Sequence, residues 1–234
     1  MNIVAIDTAT EAFSVALQYN NDKTLHRYSI ESRMHAKLLL PALDELFAEA
    51  GIERPDLNAV AFGRGPGAFT GVRIATAASQ AIAMAFELPL APVSTLAAIA
   101  LRAHREQGVN NIAVAIDARM GEVYWGAYRI NNGLPELYDH EQVCAPGDVP
   151  ELGSEWTAAG TGWDVWAEQL QNASGAAIVD AMDGEMPALP HALDILQIGR
   201  SIIEQGAGVD AAEALPVYLR DNVAKTEAQR KTAK

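Results

Sequence analysis

At 234 residues, half of them hydrophobic and with mean hydropathy near zero, the chain has the size and composition of a globular protein with a substantial core, in one large domain or two small ones. Thirty acidic residues against 17 Lys and Arg leave a formal charge of −13, which argues against a broad phosphate-binding surface for nucleic acid. The lone cysteine, Cys144, excludes an intrachain disulfide and a multi-thiol metal site.

The opening run NIVAID reads as a buried strand, and TATEA as a turn. FSVALQY then alternates as a second strand, and residues 24–30 complete an antiparallel meander. From 34 to 50 the period changes to that of a helix, with Leu38, Leu39, Ala42, Leu43, Leu46 and Phe47 on its apolar positions. Pro41 is expected to kink that helix or set its start, and Gly51 to cap its end. A short strand at 59–62 leads into the loop GRGPGAFTG and a second helix over 69–86. Residues 90–93 read as a strand, and Ser94 as the N-cap of a third helix ending near Arg105.

After a linker the pattern restarts. IAVAID is a strand, ARMG a turn, EVYWGAYRI an alternating strand, and NNGLPE a turn leading to LYDHEQV. WTAAGTGW reads as a strand into a glycine turn, AAIVDA as another strand, and 191–205 as a helix. The tail, with Lys225, Arg230, Lys231 and Lys234, is expected to fray. The N-terminus has no basic region and carries Asp7 inside its apolar run, unlike a signal peptide, and the weakly polar stretch 74–86 is too short to span a bilayer. A cytoplasmic protein is expected.

The tetrapeptide VAID occurs at 4–7 and again at 114–117. Both copies end an apolar strand with Asp at a short turn, and an offset of 110 carries Phe13 onto Val123. Duplication accounts for this register better than coincidence does. Two tandem β-β-β-α units describe an α/β protein of the actin/hexokinase/Hsp70 type, with subdomains at 1–108 and 109–222 and a basic tail at 223–234. In that fold the hairpin turn of each half faces a cleft and can grip phosphate, an analogy that does not establish function.

Within GRGPGAFTGVRIA, Gly65, Gly67 and Gly71 supply permissive backbone and Thr70 can cap the following helix. The spacing is not that of a P-loop, and Lys-Ser/Thr is missing. A glycine-packed strand-to-helix corner is the alternative reading. The run resembles the GPGSFTGLRIG signature of the TsaB (YeaZ) family, with Ala68 in place of Ser and Val72 in place of Leu. IDTAT, SRMHAKLLLPALDELF and LPVYLRDNVAK are similar to that family as well, so the resemblance spans nearly the whole length.

The resemblance implies a non-catalytic subunit in N6-threonylcarbamoylation of adenosine 37 of tRNAs reading codons that begin with A. It implies pairing with the catalytic paralogue TsaD, addition of the ATPase TsaE, and a homodimer when the chain is alone. It implies no tightly bound cofactor, with ATP or ADP as a candidate at the TsaD junction, and no broad direct tRNA contact. TsaD-type proteins hold a metal with a His-x-x-x-His pair. The five histidines here, at 26, 35, 104, 140 and 191, include no such pair, and Thr95 and Ile99 stand where the motif falls. His35 is read as a helix-start residue and His104 as a solvated one.

Asp7 and Asp117 are the candidate cleft acids, a structural turn role being the simpler one for each. AAGTGW is a weak adenosine-site signal. Asp7, Arg33, Arg64, Gly65 and Gly67 are the candidate nucleotide or phosphate contacts. The helix at 69–86 carries only Thr76, Ser79 and Gln80 as polar side chains after Ile74, and no charge there, so it is expected to be buried on all sides. A central core helix and an interface helix both fit. The candidate partner face comprises Met34, Leu38, Pro41, Leu43, Phe69, Arg73, Ala77, Ala78, Ala81 and Ile82. Two competing classes are a small ATP-dependent kinase of the same superfamily and a metallopeptidase-like enzyme; the missing ligand pair argues against the second.

Overall fold

The computed structural model describes residues 1–20, 23–31, 33–178 and 189–220. Strand β1 (Ile3–Asp7) lies at the centre of a five-stranded sheet. β2 (Ala12–Tyr19) and β3 (Lys23–Ile30) form an antiparallel meander on one side of it. β4 (Ala59–Gly63) and β5 (Leu90–Val93) add in parallel on the other, giving the order β3-β2-β1-β4-β5. The parallel crossovers are α1 (His35–Ala50) and α2 (Phe69–Phe86), and α3 (Thr95–Gln107) leads into the second half.

That half repeats the plan. β6 (Asn111–Arg119), β7 (Glu122–Asn131) and β8 (Leu134–Leu137) form the meander, β9 (Gln142–Cys144) pairs with β7, and β10 (Thr157–Ala159) joins β6 in parallel. Helices α4 (Gly162–Ser174) and α5 (Ala192–Glu204) follow. Among the described residues no helix is long and apolar enough to cross a membrane.

Strand alternation sorts the apolar side chains into layers. Val4 and Ile6 of β1, with Val15 and Leu17 of β2, face Leu39, Leu43, Leu46 and Phe47 of α1. On the other side Ile3 and Ala5 meet Ala98 of α3 and Ile195 and Leu196 of α5. Helix α3 then turns Leu96, Ile99 and Ala103 onto Ile112, Val114 and Ile116 of β6. The far face of β6, Ala113 and Ala115, packs with Trp125, Trp156, Trp163 and Leu170. The stack is α1/α2, first sheet, α3/α5, second sheet, α4. Strands covered on both faces read as unbroken apolar runs, which is why IVAID and AFSVAL look as they do.

The duplication stands, but its register differs from expectation. Asp7 pairs across its hairpin with Ser14, whereas Asp117 pairs with Val123 across a β-bulge between Asp117 and Arg119. The second strands are therefore offset by 109 residues, not 110, because the second turn is one residue shorter. Helix α4 is absent from the sequence expectation, its interrupted pattern of Trp163, Trp166 and Leu170 being masked by a glycine-rich entry. Of AAIVDA, only an isolated bridge from Ala177 to Thr157 forms, and Val179 onward lies outside the described residues, as does the 223–234 tail. Helix α1 runs through Pro41, and α5, from the second stretch of chain, packs on the first sheet.

Candidate interaction face beside a sealed cleft

The turn after β1 is closed by the glycine loop. Asp7 is fully buried, with Oδ1 accepting from the Ala9 amide at 3.1 Å and Oδ2 without a partner among the described residues. A Cβ on Gly63 would fall 1.8 Å from that Oδ2. Burial, offset only in part by the Ala9 bond, pushes the Asp7 carboxyl up to about 7. Ala68 N–H donates to Ala9 C=O at 2.7 Å, and Thr8 Oγ1 to Gly71 C=O at 2.7 Å. Side chains at Gly67 or Gly71 would collide with the Ala9 and Thr8 carbonyls, at 2.2 and 1.9 Å. The glycines of GRGPGAFTG thus permit backbone-on-backbone packing, the strand-to-helix corner that was the alternative to anion binding. Thr70 does not cap α2; Ala68 occupies the N-cap and Thr70 lies inside the helix.

The second half uses the same corner. Cβ atoms at Gly160 and Gly162 would meet the Ala115 backbone at 2.3 and 3.0 Å, and Thr161 Oγ1 accepts from the Asp117 amide. AAGTGW therefore braces the second turn. Asp117 differs from Asp7 in having a cation: Arg119 Nη1 lies 2.9 Å from its Oδ2, and Arg119 also reaches Glu11 of the first turn at 3.5 Å. Asp7 and Asp117 are thus unequal in environment, one sealed without charge compensation and one largely buried but paired with an exposed arginine.

Arg33 is exposed, with left-handed backbone at φ 68°. Arg64 is half-buried; its backbone bonds Val93 and Val217, and its Nε lacks a partner among the described residues. Gly65, at φ 99°, sits against the Val217 carbonyl, where a Cβ would approach to 2.8 Å. Thr95 and Ile99 are fully buried at the start of α3, whose N-cap Ser94 accepts from the amides of Leu96 and Ala97. Ser94 and Tyr128 both donate to Glu141 Oε1, tying the two halves together, and burial with that carboxylate holds the Tyr128 phenol well above its ordinary range. Among the described residues no three His, Cys, Asp or Glu gather to hold a metal. His35 opens α1 as expected, with Nε2 beside the Ala12 carbonyl; His104 is not simply solvated, its Nδ1 lying 3.0 Å from the Val109 carbonyl.

Helix α2 is not buried on all sides. Beyond Ile74 its polar side chains are turned toward the protein: Thr76 donates to the Val72 carbonyl, Ser79 is fully buried, and Gln80 donates to the carbonyls of Ala211 and Ala214. One apolar edge faces outward, with Ala77, Ala81 and Ala85 exposed, Met84 at 72% and Phe69 at 58% relative exposure, while Val72, Ala75 and Ala83 are buried. Exposed Leu40 and Pro41 and half-buried Met34 belong to neighbouring α1 and its N-cap. Leu38, Ala78 and Ile82 are half-buried against the core, and Leu43 is wholly inside it, so Leu43 does not belong to any such face. Arg73 is held in place, its guanidinium 3.6 Å over the Phe69 ring and its Nε 2.8 Å from the Tyr218 hydroxyl.

The sequence reading omitted Leu40, Met84 and Tyr218. Spacing of three and four links Ala77, Ala81 and Met84 and could have found the second. Tyr218 reaches Arg73 across 145 positions, for which local pattern holds no signal.

A duplicated actin-like fold with a closed first turn defines the class, and comparison with known proteins agrees. Residues 20–228 match the family model "TsaD: tRNA N6-adenosine threonylcarbamoyltransferase". The chain is 44% identical over 230 residues to the tRNA threonylcarbamoyladenosine biosynthesis protein TsaB of Escherichia coli (strain K12), covering 96% of each. It is 36% identical to the protein of that name from Haemophilus influenzae, covering 95% of each. The solved structure of YeaZ from Pseudomonas aeruginosa superposes with TM-score 0.82 at 42% identity, covering 93% of this chain and all of that one. The chain belongs to the TsaB (YeaZ) family.

Proposed function

We propose that the chain is a non-catalytic subunit in the biosynthesis of threonylcarbamoyladenosine in tRNA, pairing through α2 and the exposed edge of α1 with a catalytic TsaD-class subunit, and joined by the ATPase TsaE. One observation carries the reading: α2 buries Thr76 and Ser79 while it leaves Ala77, Ala81, Ala85 and Met84 at the surface. A lone globular protein gains nothing from that inversion, whereas alanines let a partner helix approach closely. Without a partner subunit the same face serves a homodimer.

The sealed Asp7 supports the non-catalytic part, since a cleft acid under Gly63 and the 65–71 loop has no access to nucleotide in this arrangement. Tight nucleotide binding by the chain alone is not part of the proposal; ATP or ADP belongs at the junction with the catalytic subunit. The proposed site of action is the cytoplasm.

Ala77→Glu and Ala81→Glu place a charge on the outward face without touching the core, and are better probes than Ala78, which packs inward. Burying an unpaired carboxylate costs several kcal/mol, so each should weaken TsaD pairing by more than about 100-fold in sedimentation or calorimetry, with the variant's own melting unchanged. Undiminished pairing by both variants would sink the assignment. Calorimetry with ATP on the unpaired chain should give no heat of tight binding; a micromolar site there would favour a kinase instead.

A further inference from the structure

The outward edge of α2 carries a charge at each end and small side chains between them. Arg73, Ala77, Ala81, Met84 and the C-cap Glu87 follow one another at steps of four, four, three and three, so they lie along one side of the helix, and all five are exposed. Arg73 and Glu87 stand seven residues to either side of position 80. Ala77 and Met84 are centred within half a residue of the same point.

Neither charge is compensated within the chain. Acids outnumber Lys and Arg by 30 to 17, yet among the described residues no carboxylate pairs with Arg73 and no cation with Glu87. Arg73 is nevertheless held in one pose, between the Phe69 ring and the Tyr218 hydroxyl. That hydrogen bond uses Nε and leaves the two terminal nitrogens of a pre-oriented guanidinium for an anion. Glu87 is costly to its own helix. It occupies the left-handed C-cap at φ 52°, a conformation suited to glycine, and sets an anion at the end where the helix dipole favours a cation. The last turn of α2 has no basic side chain to offset it.

An edge positive at one end, negative at the other and centred on one point is complementary to itself when reversed. Two copies of α2 packed antiparallel about a twofold axis at position 80 bring Arg73 of each copy against Glu87 of the other, about 10 Å along the helix from the axis on either side. Ala77 and Ala81 let the two helices approach closely near that axis. Parallel packing would set like charges against each other.

We propose that Arg73 and Glu87 fix the polarity of self-pairing through α2: a second copy of this chain docks antiparallel, locked by two reciprocal ion pairs. The inference rests on α2 being the pairing face.

Sedimentation equilibrium of the full chain supplies the readout. Arg73→Glu and Glu87→Arg each turn both end pairs into repulsions, and each should weaken self-association more than about tenfold, most strongly at low salt. An equimolar mixture of the two variants restores both pairs with reversed sign and should associate to within about threefold of the parent. A folding defect would not be repaired by mixing. Thermal melts check each variant, and Arg73→Gln, which keeps a polar stem beside Phe69, should show a smaller loss of association should Arg73→Glu melt low. Unchanged association of the single variants, a mixture no tighter than either variant alone, or a parent that stays monomeric at about 100 μM would each overturn the proposal. Ala77→Glu separates the two readings. Loss of self-association there, with no effect of the charge reversals, leaves α2 as the face and removes only the reciprocal pairs; undiminished self-association there removes both.

Discussion

Asp7 is fully buried with no cation beside it among the described residues. Its carboxyl is raised from 3.8 to about 7 because the folded state desolvates the charge and returns one hydrogen bond. The folded protein therefore binds this proton more tightly than the unfolded chain does. Stability is fullest below the unfolded value and falls as pH rises from about 4 through about 7. Asp7→Asn keeps an acceptor for the Ala9 amide and removes the charge. It should be more stable than the parent at pH 8, by up to roughly 4 kcal/mol on the scale of 1.36 kcal/mol per unit. The two should converge near pH 4 in denaturant melts at each pH. The glycines beside it make a second test. Gly71→Ala forces a methyl to within 1.9 Å of the Thr8 carbonyl and should cost more than about 3 kcal/mol. Gly147→Ala, with open space around it, should be within about 0.5 kcal/mol of the parent or slightly stabilising.

At the scale of elements, α2 shows how far pattern reading reaches. Its limits, 69–86, follow from the glycine loop before it and the loss of apolar periodicity after it. Its lack of charge pointed to burial, but composition cannot tell burial in a core from burial in a complex. Only the placement of Thr76 and Ser79 inside and Ala77 and Ala81 outside separates the two. Leu43 was misassigned for the same reason: on an amphipathic helix the residues that look most apolar are those the chain has already used. The repeat was legible because VAID is a local pattern, while the 109-residue offset depended on a bulge, which is set by the pairing of β6 with β7. The sealing of Asp7 was not legible either, since it needs Gly63, Ala68 and Gly71 brought against residues more than fifty positions away.

At the scale of the molecule, the two halves are joined by more than a linker. Asp194 of α5 has a fully buried side chain held by both nitrogens of the Arg105 fork at 2.9 Å. Arg105→Ala leaves that acid buried and unpaired and should cost about 3–5 kcal/mol, read as a lower urea midpoint, with amide exchange in α5 accelerated most. His191, which caps α5 through Nδ1, is lowered to about 3 by burial and by its neighbours His26, Arg102 and Arg105, so the cap survives mild acid. The placement of α5 also has a consequence for synthesis. The inner face of the first sheet, formed by Ile3, Ala5, Ala59, Ala61, Ala91 and Val93, is covered by a helix beginning 99 residues after Val93. A ribosome adding about 5–20 residues per second leaves that face waiting for roughly 5–20 s. The first sheet thus completes the burial of that face only after α5 has been made, although Ala98 of α3 reaches it early.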